Sequence, residues 1–163
     1  MRIAIYGAGA VGGYFGGRLA QAGEEVIFLA RGQTLQTLQT QGLRVESIAG
    51  DFVVQPVQAT DDPATVGAVD LVVVAVKAWQ VPATAEAMRP LIGPQTLVLP
   101  LQNGVEAPEQ IATVLGRRHV LGGSCVIVAE GVAPGHIRHA GAQPAINIGE
   151  LDNTHTERIE RVR

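Results

Sequence analysis

The 163 residues hold one cysteine, one lysine and one tryptophan, and aromatic side chains make up only 4% of the chain. A lone thiol, Cys125, excludes an internal disulfide framework and fits a reducing, cytoplasmic setting. Its apolar neighbours predict a buried strand residue rather than a nucleophile. With so few aromatics, the core falls to Val, Leu, Ile and Ala, the composition of a buried parallel sheet. There is no excess of positive charge. Twelve Lys+Arg against fifteen Asp+Glu give a net charge of −3, which argues against a nucleic acid or an acidic membrane as partner. Long hydrophobic runs are also missing. The longest, residues 69–76, contains Asp70 and is followed by Lys77, well short of the roughly 18 residues that a membrane span needs. The apolar N-terminus does not read as a leader peptide, because Gly7, Gly9, Gly12 and Gly13 interrupt it. No G-x-S-x-G, H-E-x-x-H or Walker lysine motif occurs. His136 and His139 straddle two residues in a predicted hairpin and so alternate faces, while His119 and His155 stand alone. No metal site is predicted.

Glycine, by contrast, is plentiful and placed. The apolar run Ile3-Ala4-Ile5-Tyr6 breaks into Gly7-Ala8-Gly9-Ala10-Val11-Gly12. A predicted helix over 11–22 follows, and then a second apolar run, Val26-Ile27-Phe28-Leu29. Strand, glycine turn, helix and strand in under thirty residues is the order of a dinucleotide-binding βαβ unit. Gly7 suits the tight turn off the strand, Gly9 the approach of a pyrophosphate to the backbone, and Gly12 close helix–sheet packing. Free N–H groups at the helix start then face the phosphates. The competing reading is a glycine-rich turn that binds nothing.

Sites that prefer NAD place an acid about 20 residues past the glycines, where it accepts from the ribose 2′-hydroxyl. Here the second strand ends in Leu29-Ala30-Arg31-Gly32, and Glu24 and Glu25 fall at its other end. Arg31 offers a planar fork of donors to a 2′-phosphate. NADP(H) is therefore favoured over NAD(H), against the alternative of a merely solvated surface arginine.

The remaining pattern predicts one α/β domain with a doubly wound, Rossmann-type sheet, mostly parallel. Gly12/Gly16 and Gly13/Gly17 form two small columns on one side of the first helix, as tight packing on a sheet requires. A short helix over 33–41 ends at Gly42. An irregular hairpin spans 43–54, and a short strand is expected at 57–60. Residues 70–76 read as a central parallel strand. A helix over 80–92, a strand at 96–100, a helix over 106–115 and a strand at 120–128 complete the alternation. Residues 131–148 read as antiparallel strands that close the sheet edge. The chain divides into a domain over 1–150 and the start of a helix within 151–163.

Ligands of open α/β sheets bind beyond the carboxyl ends of the strands. Two residues reach that edge from different strands. Lys77 directly follows the strand ending at Val76, and Asn103-Gly104 follows the strand ending at Leu101. Lys77 can meet a phosphate or a substrate carboxylate as a point charge, and Asn103 can hydrogen-bond a ribose or a nicotinamide both ways. Each also has a bland reading, as a solvated strand end and as a simple turn.

These blocks resemble the ketopantoate reductases, or 2-dehydropantoate 2-reductases. The resemblance rests on Gly7-Ala8-Gly9-Ala10-Val11-Gly12-Gly13, Arg31, Val76-Lys77-Ala78-Trp79-Gln80 and Gln102-Asn103-Gly104-Val105. It extends through Leu121-Gly122-Gly123, Pro134-Gly135-His136-Ile137 and Ile148-Gly149-Glu150. It implies NADPH-dependent reduction of 2-dehydropantoate to pantoate, on the route to pantothenate and coenzyme A. It also implies a pyrophosphate on residues 7–12, a 2′-phosphate on Arg31, and Lys77 and Asn103 in the cofactor cleft, Asn103 on the nicotinamide side. Members of the family carry a second, helical domain whose lysine is the general acid. Lys77 is the only lysine here, so the resemblance implies the cofactor half of a two-domain reductase, inactive by itself. An exposed apolar face, and with it self-association, is expected where the other half docks. Two further readings remain: a reductase of another branched 2-oxo acid, and a non-catalytic NADP(H)-binding module.

Overall fold

The computed structural model describes residues 1–163, the side chain of Ala142 excepted. The N-terminal strand β1 (Arg2–Tyr6), helix α1 (Ala10–Gln21) and strand β2 (Glu25–Leu29) form as their apolar spacing predicts. Glu24 and Glu25 do lie at the opposite end of β2 from Arg31, where Glu25 pairs with Arg2 and Glu24 with the N-terminal ammonium. Downstream come α2 (Gly32–Gln41), the short strands β3 (Leu43–Ser47), β4 (Phe52–Val54) and β5 (Gln58–Thr60), and the β-branched strand β6 (Val69–Val74). The next alternation is α3 (Val81–Ala87), β7 (Ile92–Pro100) and α4 (Ala107–Leu115).

One sheet has the order β5-β2-β1-β6-β7 with every pair parallel. Its strands alternate their side chains between two cores. Ala4, Tyr6, Val72, Val74 and Val98 pack under Val81, Ala85 and Ile111 of α3 and α4. Ile3, Ile5, Phe28, Val73 and Leu99 pack on the other side, toward Tyr14 of α1. No helix among the described residues is long and apolar enough to cross a membrane.

The C-terminal strands correct the expectation of an edge closed by antiparallel pairing. β8 (Gly122–Ala133) and β9 (His136–Gly149) form a long hairpin, but β8 does not extend the ladder of β7, which bridges only Val120 just before it and packs against Gly123. The hairpin joins β3 and β4 instead, in a second sheet of order β4-β3-β9-β8 with β3 and β9 parallel. The two glycine columns of α1 explain this. A β-carbon on Gly16 would meet Ile5 and Phe28 of the first sheet at 2.7 Å, whereas one on Gly13 would meet Ile137 of the second at 2.1 Å. The helix is thus pressed between two sheets, one glycine column to each. Inside the second interface His139 is buried, with its Nδ1 2.8 Å from Ser47 Oγ, while His136 pairs with Glu46 at 2.9 Å.

Two boundaries also shift. The helix expected over 80–92 ends at Ala87, because Pro90 has no N–H to continue it, and a 3₁₀ turn over Arg89–Leu91 takes its place. β7 begins at Ile92 rather than 96. At the C-terminus α5 (Glu157–Val162) is a short helix, tied back by Arg158 Nε to the buried Glu150 at 2.6 Å. Valines 126, 128 and 132 are exposed on the outer side of β8.

Candidate dinucleotide cleft

A cleft of about 810 Å³ opens at the carboxyl ends of the parallel strands. Its floor is the turn between β1 and α1. Gly7 has φ +105°, a conformation that side chains disfavour, and Ala8, Gly9, Ala10 and Val11 line the opening. Gly12 does not line it. A β-carbon there would sit 2.1 Å from the Gly7 carbonyl oxygen, so Gly12 closes the turn from below. A β-carbon on Gly9 would meet nothing within 4 Å, leaving the backbone open to a ligand. The first turn of α1 has no side-chain cap and no acidic residue. Its N–H groups are therefore available to an anion, which the helix dipole also favours.

Arg31 follows β2 at the next position across the sheet and lines the same cleft. Its guanidinium acts electrostatically on the phenol of Tyr6, the last residue of β1. Burial pushes the Tyr6 hydroxyl up, and Arg31 partly offsets this. Asp61, directly after β5, lines the cleft as well. The absence of an acid at the β2 tip is thus only part of the electrostatic picture, because a neighbouring strand supplies one at the same edge.

On the other side of β1, Lys77 and Asn103 both line the cleft, and both are exposed. Lys77 opens a turn closed by its own N–H, which donates to Gln80 Oε1 at 3.1 Å. Its ammonium forms no ion pair among the described residues. Gln102 anchors Asn103: its Nε2 donates to the Val74 and Val76 carbonyls at 2.8 and 3.1 Å, locking the ends of β6 and β7 together. Its Oε1 is buried without a partner among the described residues. Trp79 stands 78% exposed at the rim.

A third wall comes from β8, whose Cys125, Ile127 and Ala129 face the cleft. Cys125 is therefore not a buried strand residue as expected but a half-buried one, with Sγ 3.7 Å from the Leu101 carbonyl oxygen. Burial pushes its thiol up, away from a reactive thiolate. The sequence reading missed this wall, along with Asp61 and Gln102. Residues 125–129 are apolar throughout, so no alternation marked which of them would face the cleft.

The glycine turn, Arg31, Lys77 and Asn103 thus share one cleft, and a family model described as ketopantoate reductase PanE/ApbA matches residues 3–153. The chain belongs to that family. Its members are NAD(P)-dependent oxidoreductases. Among curated relatives, the 2-dehydropantoate 2-reductase of a Nostoc species is 38% identical over 138 residues, covering 85% of this chain and 43% of that protein. Among solved structures, 2-dehydropantoate 2-reductase from Geobacter metallireducens superposes with a TM-score of 0.93 at 38% identity, over 99% of this chain and 53% of that one. A D-mandelate dehydrogenase solved with NADH and anilino(oxo)acetate superposes with a TM-score of 0.84 at 26% identity, covering 93% of this chain and 49% of its own. The chain spans about half the length of the ketopantoate reductases it matches.

Proposed function

We propose that the cleft binds NADPH and that these residues are the cofactor-holding half of an enzyme that reduces 2-dehydropantoate to pantoate. The observation that supports this most is convergence. Four sequence-distant elements deliver a phosphate-shaped backbone cradle, an arginine, a lysine and an amide to one cleft. The cofactor supplies a hydride for the substrate carbonyl carbon. In this reading the N–H groups at the start of α1 hold the pyrophosphate and Arg31 grips the 2′-phosphate with two parallel donors. Asn103 orients the nicotinamide side, and Lys77 supplies a positive charge near phosphate or substrate carboxylate. The domain is residues 1–150, with 151–163 leading toward a helical half that carries the general-acid lysine. The setting is the cytoplasm. General acid assistance is worth about 10²–10⁴-fold, so the 163 residues alone should turn over no substrate at an appreciable rate.

One observation favours a second reading: a structural neighbour was solved with NADH. Titration of the chain with NADPH and NADH, followed by tryptophan or nicotinamide fluorescence, separates the two. NADPH should bind at least about tenfold tighter, as a charged bidentate contact warrants. Arg31→Ala should abolish most of that difference. Equal affinities in the wild type would discard the NADP assignment.

A further inference from the structure

Arg31 and Asp61 leave adjacent parallel strands at the same level. Leu29 is registered with Thr60, and the Ala30 N–H donates to the Thr60 carbonyl at 3.0 Å. Each charged residue is the next or next but one along its strand, and both line the cleft. Opposite charges so placed would ordinarily pair, yet no ion pair joins them. Arg31 is exposed and forms no ion pair among the described residues. Asp61 is exposed, and its side chain makes no hydrogen bond or ion pair among the described residues. Its neighbour Asp62 is the one consumed by local structure, capping the following turn by accepting from the Ala64 N–H at 2.9 Å. The site therefore keeps a cation and an anion side by side and uncancelled.

Position says what the anion is for. Across the sheet the order is β1 with the glycine turn, β2 with Arg31, then β5 with Asp61, each step about 4.8 Å. A dinucleotide laid from the turn toward Arg31 carries its pyrophosphate over β1 and its ribose over β2. The base continues over β5. We infer that Asp61 reads the adenine base by accepting a hydrogen bond from its 6-amino group. An adenosine 2′-phosphate presents an anion to Arg31 and an N–H donor to Asp61, the complement of the separated pair. A base with an oxygen at that position would meet a carboxylate that can only accept. The inference rests on the dinucleotide reading of the cleft, but not on the choice between NADPH and NADH.

The test is equilibrium binding to the full chain, wild type and Asp61→Asn, with NADPH, NADH and the hypoxanthine analogue of NADPH. Wild type should bind NADPH about tenfold tighter than the hypoxanthine analogue, the scale of one charge-assisted hydrogen bond. The amide introduced by Asp61→Asn can accept from the amine or donate to the oxygen. That variant should therefore bring the two within about threefold, with an unchanged melting temperature. Asp61→Ala should weaken NADPH and leave the analogue unaffected. Equal binding of both bases by wild type overturns the inference while sparing the cofactor reading. So does an Asp61→Asn variant that shifts only the NADPH-to-NADH ratio, which would place the carboxylate at the ribose. Failure of wild type to bind any of the three would overturn the cofactor reading and the inference with it.

Discussion

Gly12 and Gly7 stand so close that a β-carbon on the first would lie 2.1 Å from the carbonyl oxygen of the second. No flexible side chain is there to yield; the obstacle is backbone. Gly9, two residues beyond Gly7, has the opposite surroundings, with nothing within 4 Å of its own β-position.

Gly12 and Gly9 should respond differently to the same substitution. Gly12→Ala forces the turn off its helix and costs about 3 kcal/mol or more, a drop of roughly 6–12 °C in Tm for a chain of this size. Gly9→Ala, at φ −78°, should keep the wild-type Tm and weaken dinucleotide binding alone. Thermal melts paired with NADPH titration check both. A Gly9→Ala variant that binds as well as wild type would show that the ligand does not approach this backbone.

Lys77→Ala and Asn103→Ala should each weaken NADPH binding several-fold. Both side chains are exposed, so neither change should move stability by more than about 0.5 kcal/mol. Calorimetry with a melt on the same samples decides the matter. Unchanged affinity in both variants returns the two residues to the role of solvated strand ends.

The C-terminal helix should loosen in acid. Hydrogen bonds from Arg158, then Thr156, hold the Glu150 carboxyl below the usual range. A group with a depressed folded pKa contributes its stability above its unfolded value, about 4.3, and loses it as pH falls through the folded value. Amide exchange in residues 157–162 should therefore rise as pH drops below about 4.3, after correction for intrinsic rates. Glu150→Gln should show fast exchange already at pH 7 and little further change. A pH-independent wild type would mean that the ion pair does not hold the helix.

What the sequence disclosed was local. The first βαβ unit, the strand read at 70–76 and found at Val69–Val74, and the placement of Lys77 and Asn103 follow from apolar runs and the residues that end them. Those signals need only neighbours a few positions apart. The second sheet depends on Val45 lying beside Ile137, a pairing across some ninety residues that no short pattern encodes. Asp61 was missed for a related reason. The short strand before it, Gln58–Thr60, was expected, but only its parallel register with β2, Leu29 beside Thr60, sets the carboxylate at the same sheet edge as Arg31. The glycine columns were read as one packing surface, although their offset by one residue turns them toward different sheets. Cys125 belonged to a strand in the sequence reading too, but which side of β8 met the cleft depended on the hairpin's position.

Helix α1 is gripped from both sides, and that grip bears on how fast and how tightly a phosphate can be captured. A helix held by one sheet can roll or slide until its ligand arrives, and binding then carries the entropy of arresting it. Here both glycine columns remove the clearance that such motion needs, and folding has already aligned the N–H groups at the helix start. The pyrophosphate end of the cleft is in this sense a rigid anvil. Whatever adapts to the cofactor must do so at the rim, in Trp79, Asn103 and Asp61, and not at the floor.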